Sequence, residues 1–145
     1  MFRPTAILHP TDFSACSDHA RHIAADLAEL YKARLIFLHV VETLGPENVT
    51  YGEAATQLEP EGFRQRLRRD LEQLMPQTGS ALAVEHMLGE GDPAAEIQRV
   101  AQEKTCGLIV MGTHGRTGLR RLLMGSIAEQ VIRHAACPVL TVRTP

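Results

Sequence analysis

The chain has 145 residues, 44% of them hydrophobic and 22% charged, a balance that predicts one soluble domain with a core of its own. Its formal net charge of −2 offers no general attraction for nucleic acid, and no apolar run approaches the roughly 20 residues of a membrane helix. Cys16, Cys106 and Cys137 form no CxxC. They suit free thiols in a reducing compartment, and the start lacks a basic-then-apolar leader, so a cytoplasmic protein is expected, with neither nucleic acid nor membrane as partner.

Thr5-Ala6-Ile7-Leu8-His9, ended by Pro10, predicts a buried strand. Thr11-Asp12-Phe13-Ser14 is a loop in which Ser14 suits the N-cap of the next segment. Over residues 15–31, Ala20, Ile23, Ala24, Leu27 and Leu30 recur at helical spacing and predict an amphipathic helix. Residues 34–41 are apolar on both faces, as a central parallel strand is. Residues 43–59 hold Gly45-Pro46, Asn48 and Gly52 with little periodicity, and a connection that long is expected to be functional or mobile.

Pro60 suits a helix start, and Phe63, Leu67, Leu71 and Leu74 follow as a stripe, with Arg64, Arg66, Arg68 and Arg69 on the wet side. Residues 76–79 break that helix, and residues 81–88 form a weaker, more polar strand expected at a sheet edge. Asp92-Pro93 is an N-cap followed by proline at the first helical position, and Ile97, Val100 and Ala101 supply a buried face. Leu108-Ile109-Val110-Met111 is the fourth strand.

That strand enters residues 111–127, MGTHGRTGLRRLLMGSI, the stretch around which the rest is organised. Gly112, Gly115, Gly118 and Gly125 punctuate it. Ser126 is placed to cap a fourth helix over 126–135, with Glu129 at the spacing of a capping box. Ile127, Val131 and either His134 or Ala135 turn inward, and residues 138–142 make a last strand that tolerates Pro138 at its start. A strand, a glycine-bearing loop and a capped helix form an anion cradle. Glycine lets backbone N–H groups approach a phosphate, and the helix start adds free donors and the positive end of its dipole.

The alternation of five strands with four helices argues for an open, mostly parallel sheet with helices on both faces. Ligands of such sheets bind beyond the carboxyl ends of the strands, where strand order reverses. The loops after the first strand (Pro10-Thr11-Asp12) and the fourth (from Gly112) are natural neighbours there. Cys16, His19 and His22 step around a helix and do not converge on one metal ion. His9 and His39 read as hydrogen-bonded core histidines, Cys106 and Cys137 as small buried residues, and Arg120 and Arg121 as solvated surface.

The spacing Gly112-x2-Gly115-x9-Gly125-Ser126 resembles the nucleotide-binding signature of the universal stress protein family. Pro10-Thr11-Asp12-Phe13-Ser14 and Cys137-Pro138-Val139 carry the same resemblance, which spans essentially the whole chain. It implies a doubly wound, flavodoxin-like (HUP-type) parallel five-stranded sheet with helices on both faces, as a single domain over residues 1–145. It further implies a homodimer and binding of ATP or another adenine nucleotide, with or without Mg²⁺. By position, Asp12, near Pro10 and Thr11, resembles the residue on the adenine or ribose side, and Val40 the one touching the base. Met111 and Gly112 end the fourth strand against the nucleotide. Gly115, Gly125, Ser126 and Ile127 match positions around the phosphates, and His114 and Arg116 lie inside the loop, Arg116 within reach of a phosphate. One departure is Gly107, where the family often carries an acidic residue.

These readings converge on a nucleotide-binding regulatory module. The alternatives are a slow ATPase or nucleotidyl- or phosphoryl-transfer enzyme, and a dimeric scaffold whose glycines are structural. Strong catalysis is disfavoured, because no GxxxxGK[ST] loop puts a lysine on the phosphates and no second carboxylate or base is evident beyond a nomination of His114. The final strand, apolar and expected at an edge, is predicted to pair with its copy across a two-fold axis.

Overall fold

The runs apolar on both faces become the centre of a sheet. In the computed structural model, which describes residues 1–42, 60–76, 81–114 and 124–144, β1 (Ala6–Pro10) lies between β2 (Arg34–Val41) and β4 (Leu108–Gly112), parallel to both. The more polar β3 (Val84–Glu90) forms one edge and β5 (Val139–Val142) the other, giving the order β3-β2-β1-β4-β5. This is a doubly wound α/β sheet whose order reverses between β1 and β4.

Strand alternation divides the core into two layers. Ile7, Leu35, Phe37 and Val110 face α1 (Ala15–Tyr31) and α2 (Pro60–Glu72). Leu8, Ile36, Leu38 and Ile109 face α3 (Pro93–Glu103) and α4 (Ser126–His134). Among the described residues, no helix is long and apolar enough to cross a membrane.

The buried face of α1 is made of alanines: Ala20, Ala24, Ala25 and Ala28 lie against the sheet. Small side chains bring the helix close, and Leu30 is left 72% exposed. At 3.6 residues per turn Leu30 stands about 120° round the helix from Ala24, off the seam its periodicity suggested. In α4 Ala128 and Val131 are buried, Ile127 and Ala135 pack partly buried against the same layer, and His134 is exposed.

The third strand starts and ends later than residues 81–88, because it follows β2 in register to Val41↔Glu90. Gly91, at φ 116°, then turns the chain into Asp92, whose side chain accepts from the Ala95 N–H and caps α3. The last strand starts after Pro138, which lacks a donor, although the Pro138 carbonyl still accepts from the Ile109 N–H at 3.0 Å. Gly107 packs against Pro4, so close that a Cβ would stand 2.9 Å from the Pro4 Cα. That contact has no room for an acidic side chain. Cys106 is buried in the α3–α4 layer, and burial pushes its thiol up to about 11.

Candidate functional site

A crevice opens where the connections from β1 and β4 leave to opposite sides. It holds a cavity of about 590 Å³, within the range of small-molecule sites. The sequence had nominated Pro10, Thr11 and Asp12 after β1, Val40 in β2, Met111, Gly112 and His114 around the end of β4, and Gly125, Ser126 and Ile127 at the start of α4. All of these line this one cavity. Gly115 and Arg116, like Gly118, Arg120 and Arg121, lie outside the described residues.

The β1 side is held by hydrogen bonds of its own. The Thr11 N–H donates to the Leu38 carbonyl at 2.8 Å, and the Thr11 carbonyl accepts from His39 Nδ1 at 2.7 Å. These two bonds fix the loop to the end of β2. Thr11 Oγ1 accepts from the Phe13 N–H and the Ser17 hydroxyl. Asp12 Oδ1 accepts from the Ser14 N–H at 2.9 Å, and Ser14 Oγ in turn caps α1 by accepting from the Ser17 N–H. Phe13 adopts φ 63° within this turn, and its ring lies 4.7 Å from that of His39. A short polar turn of this kind holds the Asp12 carboxylate at the strand's end.

The β4 side is a clasp. The Thr113 N–H donates to Val142 at 3.0 Å, extending the β4–β5 pairing past Gly112. The Gly125 N–H then donates to the Thr113 carbonyl at 2.7 Å, joining the two ends of the connection that residues 114–124 span. A Cβ at Gly125 would stand 3.0 Å from that carbonyl, tighter than an ordinary contact, so the approach favours glycine. At Gly112 a Cβ would meet Cys16 Sγ at 2.9 Å and the Cys16 carbonyl carbon at 3.2 Å, so glycine lets β4 end against the first turn of α1.

The clasp corrects one expectation. Gly125, not Ser126, is the N-cap of α4, and no side chain caps it among the described residues. Ser126 is the first helical residue. The proposed capping box is therefore out of register by one, and Glu129 pairs instead with Arg133 at 2.7 Å. The consequence is chemical: α1 and α3 have their first turns closed by Ser14 and Asp92, whereas α4 presents its first turn to the cavity without such a cap.

Two buried groups lie beneath the crevice. His9, 0% exposed, donates through Nδ1 to the Val110 carbonyl at 2.9 Å and rests edge-on against Phe37. Burial holds its pKa down at about 4, so the ring is neutral. Cys16 Sγ donates to the Val142 carbonyl at 3.4 Å. Burial pushes this thiol up, but hydrogen bonds from Thr144 and from the Thr113 and His114 backbone outweigh it and leave the pKa below its ordinary value. With Cys16 turned inward and His22 Nδ1 donating to the Asp18 carbonyl, the Cys16, His19 and His22 trio does not converge. Among the described residues no three His, Cys, Asp or Glu side chains gather as a metal-binding group.

Sequence reasoning missed part of the wall. Phe63 and Leu67 of α2, Ile97 of α3 and His39 of β2 all line the cavity. Phe63 and Leu67 belong to the apolar stripe of α2, yet Phe63 is 42% exposed. The signal available was an aromatic in the first turn of a helix that follows a 17-residue connection, residues 43–59. The cavity thus combines an apolar wall on the β2 and α2 side with backbone donors at the start of α4. It suits a ligand with a flat apolar part and an anionic part.

Comparison with known proteins agrees with this geometry. The sequence pattern of the universal stress protein family matches residues 4–143. A universal stress protein of Methanocaldococcus jannaschii is 37% identical over 142 residues, covering 96% of this chain and 82% of that protein. The solved structure of the universal stress protein UspA from Lactobacillus plantarum superposes with a TM-score of 0.74 at 27% identity, over 97% of this chain and 99% of that one. A universal stress protein solved in complex with cAMP has a TM-score of 0.71 at 23% identity, over 98% and 99% of the two chains. Matched by family pattern, by sequence and by fold along nearly its whole length, this chain belongs to the universal stress protein family.

Proposed function

We propose that this chain is an adenine-nucleotide sensor of the cytoplasm: it binds ATP in the crevice beyond β1 and β4 and acts as one regulatory domain over residues 1–145. The observation that carries the reading is the Gly125–Thr113 clasp, which brings a helix start with no side-chain cap among the described residues to a cavity also lined by Val40, Phe63, Leu67 and Ile97. In this reading the N–H groups of Gly112, Ser126 and Ile127 and the Ser126 hydroxyl hold phosphates, joined by Gly115 and Arg116, with Mg²⁺ as an optional companion. Pro10, Thr11 and Asp12 meet the ribose or base edge, and Val40 and Met111 pack against the base. The relative solved with cAMP supports an adenine ligand.

The same reading makes the protein a homodimer joined through β5, an edge strand on which Leu140 is 39% exposed. Hydrolysis is expected to be slow. The chain has only two lysines, Lys32 and Lys104. Lys32 stands at the C-terminal end of α1, away from the crevice, and Lys104 pairs with Glu85 at 2.6 Å, so neither is placed as the usual phosphate-binding lysine.

Thermal denaturation with ATP, ADP, AMP, cAMP and GTP tests the reading. An adenine nucleotide at 100 times its Kd should stabilise the fold by about 2.7 kcal/mol, and phosphate release should stay far below the enzyme median of about 10 s⁻¹. No stabilisation by any adenine nucleotide would return the protein to the scaffold reading.

A further inference from the structure

The first turn of α2 stands at the cavity. Leu71, farther along the helix, is buried against the sheet, and Arg64 pairs with Glu90 at the end of β3. The helix is therefore anchored at both ends. Next to the Arg64 anchor, Phe63 and Leu67, four residues apart and so on one face, line the cavity together with Val40. Phe63 remains 42% exposed. A partly exposed aromatic side chain that lines a cavity offers ring surface to a flat apolar partner.

We propose that Phe63, backed by Leu67, forms the outer wall of the base subsite, so that α2 selects for a planar heteroaromatic base while the start of α4 handles the anionic tail. The proposal rests on the nucleotide reading above and assigns to α2 a part in it. Its chemistry is stacking, which accepts any flat base and rewards ring area, so base preference here follows aromatic overlap together with the edge contacts of the β1 loop.

The experiment uses the full chain with Phe63→Ala and Phe63→Trp, and with ATP, adenosine and inorganic tripolyphosphate as probes. Phe63 is half exposed, so both variants should fold, which circular dichroism checks. The protein contains no tryptophan, and Phe63→Trp places a lone reporter at the proposed wall. Phe63→Ala should weaken ATP about tenfold, as the loss of one stacking partner predicts, and leave tripolyphosphate unchanged. Phe63→Trp should keep ATP affinity, and its emission should be quenched by ATP and adenosine but not by tripolyphosphate. Wild-type ATP affinity in Phe63→Ala, equal weakening of ATP and tripolyphosphate, or a tryptophan unresponsive to adenosine would each overturn the assignment of Phe63 while leaving nucleotide binding intact. A wild-type chain that binds no ATP would remove the nucleotide reading, and this proposal with it.

Discussion

His9 makes the fold sensitive to acid in a defined window. The ring is fully buried under the crevice and held neutral, with Nδ1 donating to Val110 at 2.9 Å and Nε2 without a hydrogen-bond partner among the described residues. Burial is the main cause of its lowered pKa. Arg21 pushes the same way, while the Val110 carbonyl and the Asp12 and Asp18 carboxylates oppose it. The folded-state pKa is about 4 against 6.5 for the free side chain. Between those values the unfolded chain takes up a proton that the folded chain refuses, so stability falls as the pH falls. At about 1.4 kcal/mol per pH unit the loss amounts to about 3 kcal/mol between pH 6.5 and 4, a sizeable part of an ordinary domain's stability. Urea denaturation followed by circular dichroism from pH 7 to pH 4 measures it. The control is His9→Asn, which keeps an N–H near Nδ1 and removes the titrating ring. The substitution has a packing cost of its own at every pH, so the readout is the difference in slope. Wild type should lose about 3 kcal/mol more than His9→Asn across the window. Parallel slopes would refute the reasoning and relocate the acid sensitivity to other groups.

Two further predictions concern the glycines. Gly125→Ala places a Cβ 3.0 Å from the Thr113 carbonyl. It should destabilise the fold by about 1–3 kcal/mol as an overpacked contact and weaken ATP by more than about tenfold by displacing the helix start; calorimetry showing unchanged affinity would count against the clasp. Gly112→Ala should cost about 1–3 kcal/mol through its contact with Cys16. Adding Cys16→Ala should recover only part, because the Cys16 carbonyl carbon stays at 3.2 Å from the new methyl group; full recovery in a double-mutant cycle would show that Sγ alone sets the limit.

How far the fold was legible depended on whether the deciding contact was local. β1, β2 and β4 announced themselves, because a strand buried on both faces must be apolar throughout. The start of α1 was legible from Ser14, whose cap is made three residues away. Its end at Lys32 was marked only by the decay of the apolar pattern, since φ 55° there falls on a residue that carries no turn signal. The register of Ser126 illustrates the limit. A serine before a helical pattern fits the N-cap or the first helical position equally, and the choice was made by the Gly125–Thr113 bond, which spans twelve residues. Phe63 and Leu67 show another limit. Helical spacing reports that two side chains share a face, but only the placement of α2 determines whether that face meets a sheet or a cavity.

The two sides of the crevice differ in how their polar groups are occupied, and that difference bears on affinity. After β1, Thr11, Asp12 and Ser14 engage one another and the neighbouring strand, so this wall needs little further ordering when a ligand arrives. At α4 the cap position holds Gly125, and no side chain occupies the first-turn donors among the described residues. A serine or aspartate there would close the helix start, as it does in α1 and α3, yet glycine in place of such a cap costs only a few tenths of a kcal/mol. The close approach to the Thr113 carbonyl already favours glycine. One residue thus satisfies the packing of the clasp and puts no side-chain acceptor of its own on the helix start, so a site of this kind takes little stability from the fold that carries it.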